Sequence, residues 1–493
     1  MSSTENVIKE GALTGFGTPR YRNYVLGLLT LVYILNFVDR TIIAVVAQPI
    51  INSFNLTDSE WGLLTGPPFA IFYAFMGLPI ALWADRSNRV KLIALCIVIW
   101  SIMTVLCGFA VGFLTLLLFR IGVAIGEAGC TPAATSIIGD YFVAHKRAKA
   151  LATYSMGVML GGVLANLLGG PIAQMQGADV GLWISNMGLG GLFSAVDWVN
   201  LEGWRVAFFV IGLPGVLVAF ILLLTVKEPP RGHSDPSEEM TEQQAHWTDV
   251  FRELKKKPSF WWAIIGGSLV AFVSYGVMGF QAPFLMREHG LDVSEAALYF
   301  GAPLACFAAI GTFLGGYITE KLTPRIPNAT ALVPAVGLLI AVPFYIAAFH
   351  LDDLTSIFIC WGIAVLVHFT YLSAGYTIAQ GVVTAKNRAT AIAVALILWS
   401  LIGNGIGPYF VGFASDFSMN YHLLNSEFSA YLTPKICKAM DSNLAAEQIA
   451  VCAEASSLGL KQAMSLSACW LILAAGCYLM ASRTVRQDFV AKL

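Results

Sequence analysis

Long apolar runs alternate with short polar turns along almost the whole chain. Runs near 22–50, 60–84, 90–111, 113–142, 148–173 and 204–226 are followed, after a break, by 258–285, 295–320, 328–349, 354–382, 389–414 and 462–482. Each is close to the ~20 apolar residues that carry a helix across a bilayer core. The pattern therefore predicts an all-α integral membrane protein of twelve spans in two sets of six. The break, 227–257, is rich in prolines and charges and suits a solvated linker, with Thr248–Lys257 as a short surface helix. It divides the chain into an N-terminal bundle 1–226, a cytoplasmic linker 227–257 and a C-terminal bundle 258–493. Two equal halves of this kind suggest an internal duplication.

Composition narrows the function classes. Of 493 residues, 57% are hydrophobic and 12% charged, against about 25% charged in a soluble domain. An ordinary cytosolic enzyme is excluded; the net charge of −1 says nothing about nucleic-acid or acidic partners, and no nucleic-acid partner is expected. The first 20 residues are polar, and the apolar run after Tyr21 is too long for a secretory signal. Lysines and arginines set the orientation. With the N-terminus inside, Arg20, Arg22, Arg86, Arg89, Lys91, Lys146, Arg147, Lys149 and Lys255–Lys257 are inside, whereas Arg205, Arg287, Lys435, Lys438 and Lys461 are outside. Lys9, Lys386 and Arg388 join the inside set, and both termini are expected to be cytoplasmic.

Four charges interrupt the apolar runs: Asp39 and Arg40 in the first, Arg120 and Glu127 in the fourth. A charge at the bilayer centre costs roughly 2.5–3.5 kcal/mol on insertion scales, so it is kept with a partner or for a task. At 1.5 Å per residue, Asp39 lies roughly 25 Å above the inner start of its helix. The fourth run goes the other way and places Glu127 about 22 Å and Arg120 about 33 Å above its inner end. Arg120 and Glu127, nearly two turns apart, share a face, whereas Asp39 and Arg40 point about 100° apart. Two acids and two bases thus fall in one band. A proton could upset their balance, because a guanidinium released from a carboxylate can hold an anionic headgroup in bidentate fashion.

Two loop motifs carry a family resemblance. Ala81-Leu-Trp-Ala-Asp85-Arg86-Ser-Asn88-Arg89-Val-Lys91 follows the second run and resembles the loop signature of the major facilitator superfamily, with Ala81 and Asn88 in place of glycines. A weaker copy, Gly316-Tyr-Ile-Thr-Glu320-Lys321 with Arg325, follows the eighth run, the equivalent place in a duplicated chain. Gly157, Gly161, Gly162, Gly169, Gly170 and Pro171 resemble the glycine-proline motif of the family's fifth helix, where small residues let helices approach closely. Leu35-Asn36-Phe37-Val38-Asp39-Arg40, with Arg120-Ile-Gly122-Val-Ala-Ile-Gly126-Glu127-Ala128 and Ile138-Gly139-Asp140, resembles the spinster family, carriers associated with sphingosine-1-phosphate and lysophospholipids. Short tails and modest loops suggest a bacterial inner-membrane member.

The resemblance implies two pseudo-symmetric six-helix bundles that work by alternating access, with the first and fourth helices lining a cavity. On that basis Asp39 is expected as the main proton site, Glu127 as its modulator, Arg120 as headgroup or switch residue and Arg40 as the partner keeping the cluster neutral. Asp85, Arg86, Arg89 and Glu320 are expected at a cytoplasmic gate, where Asp85 would face the inner end of the eleventh helix. The second half has no matching charge cluster. It offers Tyr275, Gln281, Tyr299, His368, Tyr371, Tyr376, Gln380, Trp399 and Asn404, of which His368, Tyr371, Trp399 and Asn404 are the candidates for substrate binding or switching.

A proton-linked secondary carrier of an amphiphilic lipid, such as a lysophospholipid or sphingoid phosphate, is the reading these features support. A symporter of a soluble organic anion or sugar acid is the alternative. Protons, membrane lipids and a small amphiphilic or anionic substrate are the expected partners of a monomer without cofactor or metal. Of nine cysteines, Cys437 and Cys452 fall in the long outer loop, where an oxidising exterior permits a disulfide. No nucleotide-binding loop or grouped nucleophile and base suggests an ATP-driven pump or a hydrolase.

Overall fold

A computed structural model describes residues 15–186, 188, 191, 197–234, 247–384, 387–439 and 444–490. The middle of the expected linker, 235–246, lies outside the described residues, as do Lys9 and Lys386. Among the described residues there is no strand, and twelve helices are long and apolar enough to cross a membrane. The first six spans are Pro19–Val45, Asp58–Ala84, Arg89–Gly108, Phe113–Tyr141, His145–Gln174 and Gly203–Thr225. The second six are Pro258–His289, Val293–Leu322, Ala329–His350, Leu354–Gly381, Thr390–Leu424 and Ala446–Asp488.

The eleventh and twelfth spans outrun the expected 389–414 and 462–482. Hydropathy registers the part of a helix that faces lipid, not its whole length. Ser415, Asp416, Glu447, Glu454 and Lys461 extend the two helices in segments too polar to be read as membrane. Between them, Met419, Leu423, Leu432, Cys437, Cys452 and Ala455 form a small buried core, with Phe428, Leu444 and Val451 packed against it. Cys437 and Cys452 are joined in a disulfide across a Cα–Cα distance of 5.3 Å.

The chain forms two compact units, one of residues 1–43 and 72–243, the other of 44–71 and 244–493. Residues 44–71 belong by sequence to the expected N-terminal bundle 1–226 and by packing to the second unit. The first span ends at Val45, and a separate helix, Ala47–Phe54, closes on Asn55 in the left-handed region at φ 53°. Thr57 then caps the helix Asp58–Thr65. Its hydroxyl accepts the Glu60 amide N–H, and the Glu60 carboxylate accepts that of Thr57, a reciprocal box that fixes where the second span begins.

In the first unit, glycines set the helix spacing. A Cβ on Gly126 would lie 2.7 Å from the Trp100 backbone nitrogen, and one on Gly122 would lie 2.6 Å from Met103 Sδ. The fourth span can approach the third this closely only at glycine. A Cβ on Gly161 would likewise lie 2.5 Å from Phe37 Cβ, so the fifth span packs on the first just before Asp39. The second unit carries π-helical winding at Ala296–Gly301 and Ser400–Ile406.

Candidate functional site

The four intramembrane charges meet between the first and fourth spans, inside the first unit. Arg40 donates to Glu127 Oε2 from Nε at 2.9 Å and from Nη2 at 2.5 Å. Its guanidinium also lies 5.0 Å from the Phe37 ring centre and 4.6 Å from that of Tyr73. Such cation–π contacts hold a guanidinium without adding charge. Arg120 reaches the first span at the Asp39 carbonyl, 3.5 Å from Nη1. Asp39, Arg120 and Glu127 lie within electrostatic reach of one another and are 2%, 3% and 1% exposed. Trp100, fully buried, lies beside Asp39.

Pairing in the cluster follows helix geometry. Adjacent residues on a helix point about 100° apart, so Arg40 takes Glu127 while Asp39 faces Trp100 and Arg120. Asp39 Oδ1 and Glu127 Oε1 are buried without a hydrogen-bond donor. Two carboxylates and two guanidinium groups make the cluster formally neutral, with an acceptor oxygen unused on each acid.

The expected gate residues separate. Arg89 is 1% exposed and holds three elements of the first unit. It donates to Asp140 at 2.5 Å, Ser136 at 2.8 Å, Glu228 at 2.7 Å and the Pro229 carbonyl at 2.9 Å. Asp85 and Arg86 are exposed on the turn before it, where Arg231 donates to the Ala84 and Ser87 carbonyls at 2.6 and 3.0 Å. Asn88, in a glycine's place, caps the third span by accepting the Lys91 amide at 2.9 Å. Glu320 is exposed on the eighth span, in the second unit.

His368, Tyr371 and Trp399 of the second-half candidates are packed among aromatic rings. His368 is fully buried, with Nε2 2.8 Å from Ser274 Oγ and Nδ1 3.2 Å from the Tyr345 hydroxyl. Tyr371 lies between His368 and Trp399, ring centres 6.0 and 6.4 Å away. Trp399 donates to the Ile264 carbonyl at 3.3 Å. Asn404 sits in the π-helical stretch of the eleventh span.

A second ion cluster, which sequence reasoning missed, lies at the expected outer end of the second unit. Arg287 donates to both oxygens of Asp58 at 2.8 Å and to Gln48 Oε1 at 2.7 Å. Ser415 donates to Asp58 at 2.7 Å, and Lys438 reaches it at 3.3 Å. The available signal was the scarcity of basic residues on that face, which makes Arg287 and Lys438 conspicuous. Beside it, Glu288 accepts from Lys461 at 2.5 Å and from Ser457.

The sequence profile described as Major Facilitator Superfamily matches residues 29–408. The chain belongs to the major facilitator superfamily. Within it, the protein falls in the spinster family: it is 30% identical to human protein spinster homolog 1 over 82% of this chain and 75% of that protein. An MFS-type efflux pump of Mycolicibacterium smegmatis is 29% identical over 81% of this chain and 85% of its own. A crystal structure of a bacterial homolog to human lysosomal transporter, Spinster, inward-facing and unoccupied, superposes with a TM-score of 0.91 at 53% identity, covering 97% of this chain and all of that one. The D-xylose-proton symporter, at 17% identity and a TM-score of 0.60, shares the fold. This spinster-family protein is thus a multi-pass membrane transporter and not an enzyme.

Proposed function

We propose that this transporter is a proton-linked carrier of an amphiphilic anion, a lysophospholipid or sphingoid phosphate, and that it works by alternating access. The observation that carries this reading is the buried set Asp39, Arg40, Arg120 and Glu127, with unpartnered oxygens on both acids. Burying a charge costs several kcal/mol unless something neutralises it. A proton on Asp39 leaves one guanidinium in excess, and an anionic headgroup restores the balance. Arg120 takes the headgroup, because a planar guanidinium matches phosphate oxygens in pairs, while Arg40 stays with Glu127. Cytoplasmic termini, supported by the lysine and arginine bias, belong to the same reading, as do a bacterial inner membrane and a monomeric state.

The test is uptake of labelled lysophospholipid into proteoliposomes with and without an imposed pH gradient. Saturable uptake stimulated by the gradient is expected, and Asp39→Asn should abolish the stimulation in folded protein. Uptake no greater than that of empty liposomes would refute the lipid substrate. Full gradient dependence in Asp39→Asn would refute the proton role.

A further inference from the structure

At the outer ion cluster, the contact between Asp58 and Arg287 accounts for only part of what holds the helix Asp58–Thr65. Its capping box satisfies the amides of Thr57 and Glu60 and leaves those of Asp58 and Ser59. Both are taken by one carboxylate from the eleventh span. The Asp58 amide donates to Asp416 Oδ1 at 3.1 Å, and the Ser59 amide donates to Oδ2 at 2.7 Å. An anion at a helix N-terminus also gains from the helix dipole.

The same two helices meet along a close glycine seam inside the second unit. A Cβ on Gly412 would lie 2.0 Å from the Asp58 carbonyl oxygen, one on Gly62 2.4 Å from that of Pro408, and one on Gly66 2.7 Å from that of Gly405. Backbone meets backbone there with no room for a side chain. Asp416 and Gly412, four residues apart on one face of the eleventh span, therefore grip the first turn from two points. That grip sets the Asp58 side chain between Arg287, Ser415 and Lys438.

We propose that Asp416 is a positioning residue of the transport cycle: by holding the first turn of the second span, it places Asp58 for Arg287 and favours the state closed at this end. The proposal rests on the alternating-access reading and is independent of the substrate. On that reading, opening at this end parts the segment 44–71 from the eleventh span, and the two Asp416 hydrogen bonds oppose the parting together with the seam.

Hydrogen exchange of the full-length protein in lipid nanodiscs tests this, comparing wild type, Asp416→Ala, Asp416→Asn, Gly412→Ala and Asp58→Asn. Asp416→Ala is expected to speed exchange in peptides covering 58–65 and 405–416 by roughly fivefold, the scale of one lost helix cap. Exchange at the opposite end, in 84–88 and 323–328, should slow as the population shifts. Asp416→Asn, which keeps one acceptor oxygen, should give an intermediate shift in both places. Gly412→Ala should shift both in the same direction with Asp416 intact, which keeps the test open if Asp416→Ala does not fold. Faster exchange near residue 58 with no slowing at the far end would reduce Asp416 to a local brace and overturn the proposal. If Asp58→Asn produces the two-ended shift and the Asp416 variants do not, the proposal falls and alternating access stands. If no variant produces it, both fall.

Discussion

Arg40 and Glu127, 87 positions apart in the chain, meet through two hydrogen bonds of 2.9 and 2.5 Å, with the Glu127 side chain fully buried and that of Arg40 14% exposed. Removing one partner from a buried pair leaves an uncompensated charge and costs roughly 3–5 kcal/mol, while replacing both with apolar residues is often close to neutral. Arg40→Met is therefore expected to lower the thermal unfolding midpoint more than the double variant Arg40→Met/Glu127→Met does. A double variant less stable than Arg40→Met would contradict the ion-pair account of this contact.

Arg89 is a stronger anchor than a surface gate residue would be. Arg89→Met leaves Asp140 and Glu228 facing each other without the guanidinium that joins them. A loss of about 3–5 kcal/mol is expected, read as a lower midpoint in detergent. Arg86→Met, on the exposed turn, should fall within about 0.5 kcal/mol of wild type.

Lys438 gives the outer cluster a pH signature. Burial, with the Arg287 guanidinium beside it, pulls its ammonium down to about 8 from an ordinary 10.5, against the opposing pull of Asp58 and Asp416. Between those values the unfolded chain binds the proton that the folded protein has lost, so stability rises with pH. Below pH 8 the lysine is charged in both states, and its cost is fully present. The midpoint of wild type is therefore expected to climb relative to that of Lys438→Met between pH 8 and 10. Parallel profiles across that window would show that Lys438 does not titrate there.

The Cys437–Cys452 bridge closes a loop over a sequence separation of 15 beneath which the small outer core packs. A loop of this length contributes about 3 kcal/mol by restricting the unfolded chain. Cys437→Ser/Cys452→Ser should lower the unfolding midpoint, and a thiol reagent should modify neither cysteine until reductant is added. Labelling of both without reductant would refute the bridge.

Much of this protein could be read along the chain. The twelve spans follow from run length alone, because a bilayer demands about 20 apolar residues per helix whatever packs against it. Asp39, Arg40, Arg120 and Glu127 stood out for the same reason: a charge is conspicuous only against apolar neighbours. The outer cluster lacked that contrast. Asp58 and Arg287 lie near span ends and Lys438 in the outer loop. The rarity of bases on that face could mark Arg287 and Lys438 but could not pair them with Asp58, which 229 positions separate from Arg287 in the chain.

The sequence by itself determined what the solvent imposes: helices, their number, and which charges are expensive to bury. Only the tertiary structure decided which charge meets which. Arg40 takes Glu127, while its neighbour Asp39, about 100° away around the helix, lies beside Trp100 and Arg120. Arg89 turned inward to Asp140 and Glu228, and His368 was enclosed by Ser274 and Tyr345, through contacts between residues distant in the chain. Residues 44–71 joined the second unit for the same reason. Hydropathy is a property of each residue with its solvent, whereas pairing is a property of two residues and the backbones that carry them.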